Sequence, residues 1–112
     1  MTLKQIQELL HATVCIPGAR LDLEVEYAFS ADMMSDVLAF AHNNSVLLTG
    51  LVNTQVIRTA EIKDLSLVIF TRGKAPSDEI SDLAHKHNLC VMSTEYNLFE
   101  ASGILYANGL KA

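Results

Sequence analysis

The sequence predicts an α/β fold, a three-layer sandwich with a mainly parallel sheet and helices on both faces. Three observations predict it. Apolar runs at Val46–Leu48, Leu65–Phe70 and Leu89–Met92 are too short for helices and nearly unbroken, as in strands covered on both sides. Each is followed by a segment of helical periodicity. Capping residues stand at the junctions: Asn53-Thr54, Ser77 and Asn97, whose side chains can hold the first free amides of a helix. Strand and helix thus alternate strictly from 46 to 107, without an internal repeat or linker, which is the pattern of parallel strands joined by helical crossovers.

The elements follow in order. Thr2-Leu3-Lys4-Gln5 matches a capping box, and Leu3, Ile6, Leu9 and Leu10 form one apolar stripe, so residues 3–11 read as an amphipathic helix. Thr13–Ile16 is a first strand closed by the turn pair Pro17-Gly18. From 21 to 29 apolar residues (Leu21, Leu23, Val25, Tyr27) alternate with Asp22, Glu24 and Glu26, the mark of an extended segment with one wet face. Three carboxylates on one strand face diverge rather than converge, so a solvated face explains them better than a metal site.

Ser30 or Asp32 is then expected to cap a helix carrying Met33, Met34, Val37, Leu38, Phe40 and Ala41, with Asn43-Asn44 ending it. That apolar face is wider than one core contact needs, so the helix is deeply buried or shared with a partner. After the strand at 46–48, Val56, Ile57 and Ala60 fall in helical register behind Asn53-Thr54. The loop Thr71–Pro76 follows the strand at 65–70. Ser77 opens a helix with Ile80, Leu83, Ala84 and His87 in register, and Asn88 stops it. Asn97 with Glu100 makes a second capping box for a terminal helix of Leu98, Phe99, Ala101, Ile104, Leu105 and Tyr106, closed by Asn108-Gly109.

Composition narrows the function. The length of 112 residues suits one domain, residues 1–112, with one core. Half the residues are hydrophobic and 19% charged, which argues against disorder. No apolar run reaches the roughly 20 residues of a membrane helix, and the N-terminus lacks a signal-peptide core, so a cytoplasmic protein is expected, away from membranes. A net charge of −5 with scattered Lys and Arg does not suit a nucleic-acid backbone. Cys15 and Cys90 sit in apolar settings and read as buried small hydrophobes.

In parallel sheets, ligands settle beyond the carboxyl ends of the strands. Three such ends, Thr49-Gly50, Thr71-Arg72-Gly73 and Ser93-Thr94, are expected on one rim, with Asn53 and Thr54 opening the helix behind the first. Hydroxyls, free helix amides and one inward-pointing Arg suit a phosphate or carboxylate. The candidate ligand-binding residues are therefore Thr49, Gly50, Asn53, Thr54, Thr71 and Arg72. Gly50 begins neither a dinucleotide fingerprint nor a phosphate-cleaving loop. His85 and His87 point about 200° apart around a helix and cannot share an ion. No metal ligand set, catalytic constellation or cofactor motif is present, and an enzyme built on Asp32 or Asp36 with a rim hydroxyl finds no base at a recognised spacing.

Asp22–Phe40, followed by Leu48-Thr-Gly-Leu-Val-Asn-Thr-Gln-Val-Ile-Arg-Thr-Ala60, resembles the DRTGG domain family over most of the chain, from about Thr2 to Leu110. The family's name-giving tract falls near Asp22–Glu26, where only Asp22 is kept, and its later Thr-Gly-Asp-Arg-like turn is here Thr49-Gly50-Leu51-Val52. The family includes free-standing bacterial and archaeal proteins and inserts in larger ones, and the N-terminal domain of HPr kinase/phosphorylase is similar in fold. The resemblance implies an α/β regulatory or interaction module, often dimeric and without enzymatic activity. The expectation is a non-catalytic homodimeric module, or alternatively a small-ligand sensor for an adenine nucleotide or other anion, with a partner protein as a further candidate.

Overall fold

The computed structural model describes residues 1–18 and 20–112. Ten elements follow one another: α1 (Leu3–Leu10), β1 (Thr13–Ile16), β2 (Ala28–Ser30), α2 (Met34–Phe40), β3 (Val46–Thr49), α3 (Thr54–Ile62), β4 (Leu67–Phe70), α4 (Asp78–Lys86), β5 (Cys90–Ser93) and α5 (Leu98–Ala107). The five strands form one sheet in the order β1-β5-β4-β3-β2. β2 to β5 are parallel, and β1 joins the far edge antiparallel to β5, with a register shift between Val14 and Ile16. The predicted α/β sandwich is what forms.

β2 to β5 advance one place at a time, so successive right-handed crossovers lay their helices on the same face. α2, α3 and α4 share that face, where Val37, Ile57 and Ala84 pack on Leu47, Val68, Phe70 and Val91. α1 and α5 cover the other, with Ile6, Leu10 and Leu105 on Leu48, Ile69 and Met92. Every residue of β3 and β4 is buried, and each such Leu, Ile or Phe contributes about 1.5–3 kcal/mol by its transfer from water. Leu65 and Ser66 lie ahead of β4 rather than in it.

The caps behave as local chemistry dictates. Thr2 with Gln5 and Asn97 with Glu100 form complete capping boxes, while Asn53 and Ser77 accept from Val56 N–H and Ile80 N–H. Three expectations are corrected. The alternating segment 21–29 divides in two: its first part pairs with the chain start, Leu3 N–H donating to Leu23 C=O and Val25 N–H to Met1 C=O, and only residues from Ala28 join the sheet. α2 begins behind Met33, whose side chain cannot cap, and neither Ser30 nor Asp32 caps it. It also ends at extended Ala41 rather than at Asn43-Asn44, although Asn44 does adopt a left-handed conformation (φ 57°).

The cysteines lie on opposite faces of the sheet, Cys90 buried under α1 and α5 and Cys15 on the α4 side, and both are free thiols. Burial pushes the Cys90 thiol up to about 12, with the neighbouring Cys15 adding to the effect. His87 bridges two helices, its Nε2 lying 3.1 Å from Glu61 Oε2. His42 stacks on Tyr27 with ring centroids 4.0 Å apart.

Candidate functional site

The carboxyl ends of the four parallel strands do meet on one rim, stitched together by hydrogen bonds. From β3, Thr49 C=O receives both the amide and the hydroxyl of Thr71, at 3.2 and 3.5 Å. From β5, Thr94 C=O takes the Gly73 N–H at 2.8 Å, and the Ser93 hydroxyl donates to Lys74 C=O at 2.6 Å. The Thr94 hydroxyl reaches under the rim to Leu10 C=O at 2.8 Å, closing the last turn of α1. The strands deliver these groups together because parallel strands in register end at the same level.

Gly50 is the centre of the arrangement. Its N–H donates to Asp32 Oδ1 at 2.8 Å, and the Thr49 hydroxyl donates to the same oxygen at 3.0 Å. Its C=O accepts from Lys74 Nζ at 2.7 Å. A methyl group added at Gly50 would stand 3.6 Å from both Asp32 oxygens and 3.7 Å from Lys74 Nζ, so acid and ammonium flank the same glycine. One carboxylate and one ammonium thereby tie the loops after β2, β3 and β4.

Of the residues expected from sequence, Thr49 and Thr71 are buried beneath the rim and Gly50 is half-buried on it. Asn53 and Thr54 start α3, with the Asn53 side chain spent on its own helix and the Thr54 hydroxyl accepting from Arg58 at 3.4 Å. Arg72 is exposed on the loop after β4, in a left-handed backbone conformation (φ 59°), and its N–H donates to Tyr96 C=O at 2.9 Å. The cation hydrogen-bonded to a rim carbonyl is Lys74.

Sequence reasoning misses Lys74, which reads as loop, and pairs Asp32 with a rim hydroxyl only in the enzyme reading, otherwise setting it as a helix cap. Neither spacing nor pattern announces a partner in another loop. The Gly50 position was the one available signal, since a glycine just past a buried strand permits close approach of other groups. Among the described residues, no group of three or more His, Cys, Asp or Glu is placed to hold a metal ion.

A second concave feature lies between the β2 edge and α5, a groove of about 450 Å³ lined by Phe29, Leu48, Phe99, Leu105, Tyr106 and Leu110 among others. Ser30 and Ser102 close one side through hydroxyls 2.6 Å apart. Phe99 is 86% and Tyr106 73% exposed, and on the opposite face Phe40 of α2 is 71% exposed. Apolar surface therefore flanks the β2 edge from both helical layers.

The DRTGG domain model matches residues 5–107. The chain belongs to the DRTGG domain family. Among solved structures it is similar to the crystal structure of the CBS and DRTGG domains of the regulatory region of Clostridium perfringens pyrophosphatase, complexed with the activator diadenosine tetraphosphate, at a TM-score of 0.77 and 26% identity. The match covers 93% of this chain and 45% of that one, so this chain spans less than half the length of the solved chain. No curated protein matches it. No helix among the described residues is long and apolar enough to cross a membrane.

Proposed function

We propose that this chain is a non-catalytic regulatory module whose 112 residues act as one cytoplasmic domain and work as a homodimer. The observation that carries the reading is the likeness, over nearly the whole chain, to part of a regulatory region. The use of the rim hydroxyls supports the non-catalytic role: Thr49, Thr71, Ser93 and Thr94 each donate to a carbonyl or carboxylate of a neighbouring segment, and Thr49 is fully buried. Such hydroxyls hold loops; they do not attack substrates.

The homodimer face is the β2 edge with the groove beside α5. Phe99 and Tyr106 stand almost fully in water there, and exposed aromatic surface of this kind marks an association site, with a partner protein as the other candidate occupant. Light scattering should give about twice the chain mass, and Phe99→Ser with Tyr106→Ser should return it to the monomer mass. A wild-type chain that stays monomeric at high micromolar concentration removes the dimer.

A second reading, favoured by the nucleotide bound to the similar structure, is that the rim senses an adenine nucleotide or related anion. Thr49, Gly50, Asn53, Thr54, Thr71 and Arg72, joined now by Lys74, form that site. A ligand at 100 times its dissociation constant should add about 2.7 kcal/mol of stability. A thermal-shift series with adenosine mono-, di- and triphosphate and diadenosine tetraphosphate tests this, and Arg72→Ala should remove most of the shift. An undiminished shift in that variant moves the ligand elsewhere.

A further inference from the structure

The oxygen that occupies the centre of the rim belongs to the protein. Asp32 Oδ1 takes the Gly50 amide and the Thr49 hydroxyl together, and these are the donors that a phosphoryl oxygen arriving at the end of β3 would use. The charges around it nearly cancel. Lys74 sits on the Gly50 carbonyl and Arg72 is exposed close by, while Asp32 lies beside Gly50 and the Glu95 carboxylate lies against Gly73.

The bond to Gly50 also leaves something undone. Asp32 stands immediately before Met33, and Met33 opens α2 without any side-chain bond to its first turn. The carboxylate that local sequence would use as a helix cap is thus drawn away to another loop. Its two roles compete for one side chain: it cannot hold Gly50 and the first amides of α2 at once.

We propose that Asp32 is an autoinhibitory stand-in for a ligand's phosphoryl oxygen, displaced when an anion binds the rim and then free to cap α2. This rests on the rim reading above. The incoming oxygen takes over the Gly50 amide and Thr49 hydroxyl, with Lys74 beside it as counter-charge. The released carboxylate moves onto the open start of α2. Ligand entry is thereby coupled to the helix that carries Met33 and Phe40, both exposed, so that occupancy of the rim changes the surface shown to a partner.

Inorganic pyrophosphate is the probe. It is titrated into the isotope-labelled wild-type chain and into D32N and D32A, following backbone amides by NMR, with circular dichroism confirming that each variant folds. D32N keeps the size of the side chain and removes its charge, and D32A also frees both donors. Both should bind pyrophosphate at least about tenfold more tightly than the wild type, because the charged acceptor that competes for the Gly50 amide and Thr49 hydroxyl is weakened or removed. In the wild type the amides of Gly50 and of Met34 and Ser35 should shift together with one dissociation constant. Equal or weaker binding by the variants, while the wild type still binds, overturns the proposal and leaves the rim site standing. So does a Gly50 shift that α2 does not share. If neither pyrophosphate nor an adenine nucleotide binds any of the three chains, the rim reading falls and the proposal falls with it.

Discussion

Thr94→Val tests whether the rim is held from beneath. The Thr94 hydroxyl donates to the buried Leu10 C=O at 2.8 Å, joining β5 to the end of α1 across 84 residues of sequence, and it accepts more weakly from Tyr96 N–H at 3.4 Å. Valine has the same shape, so no cavity opens and the loss is purely polar. Leaving a buried carbonyl without its donor costs about 1–3 kcal/mol. At about 2.1 cal/mol/K per residue, 112 residues give an unfolding entropy near 0.24 kcal/mol/K, so the midpoint should fall by roughly 4–13 °C. Differential scanning calorimetry reads this directly. Thr94→Ser keeps the hydroxyl, removes one methyl group, and should lose only about 0.5–1.5 kcal/mol. A Val variant as stable as the wild type, or a Ser variant that falls equally far, would refute the reasoning.

Three further outcomes are expected. Gly50→Ala should fold normally, since its added methyl group meets only ordinary contacts at 3.6 Å and beyond, yet it should weaken any anion binding at the rim by filling the approach; calorimetric titration beside an unchanged unfolding midpoint separates the two effects. Lys74→Met should cost under about 1 kcal/mol in stability, because water replaces an exposed ammonium on the Gly50 carbonyl, while a nucleotide-induced thermal shift collapses; a fully retained shift removes Lys74 from the site. The Cys90 thiol, raised from 9.0 to about 12 mainly by burial, keeps its proton in the folded chain when the unfolded chain has lost it. Its contribution to stability is therefore complete below pH 9 and lost between pH 9 and 12, at up to about 1.4 kcal/mol per pH unit. Urea unfolding across that window should show a shallower decline in Cys90→Ala, and parallel curves would contradict the assignment.

The sequence by itself determined most of what is local. The apolar runs of β3 and β4 had to be buried, since burial is the only favourable fate for such stretches. Thr2, Asn53, Ser77 and Asn97 had to start helices, because each bond they make reaches only three residues along the chain. Tertiary structure alone decided the strand order, the antiparallel place of β1, the division of segment 21–29 and the wiring of the rim. Asp32 finds Gly50 18 residues away, Lys74 finds it 24 away, and Thr94 finds Leu10 84 away. Such bonds have no period and no spacing, and exist only once the sheet has brought the loops together. That is why a side chain whose own neighbourhood favoured capping α2 came to rest at the strand end, where its oxygen closes two donors at once.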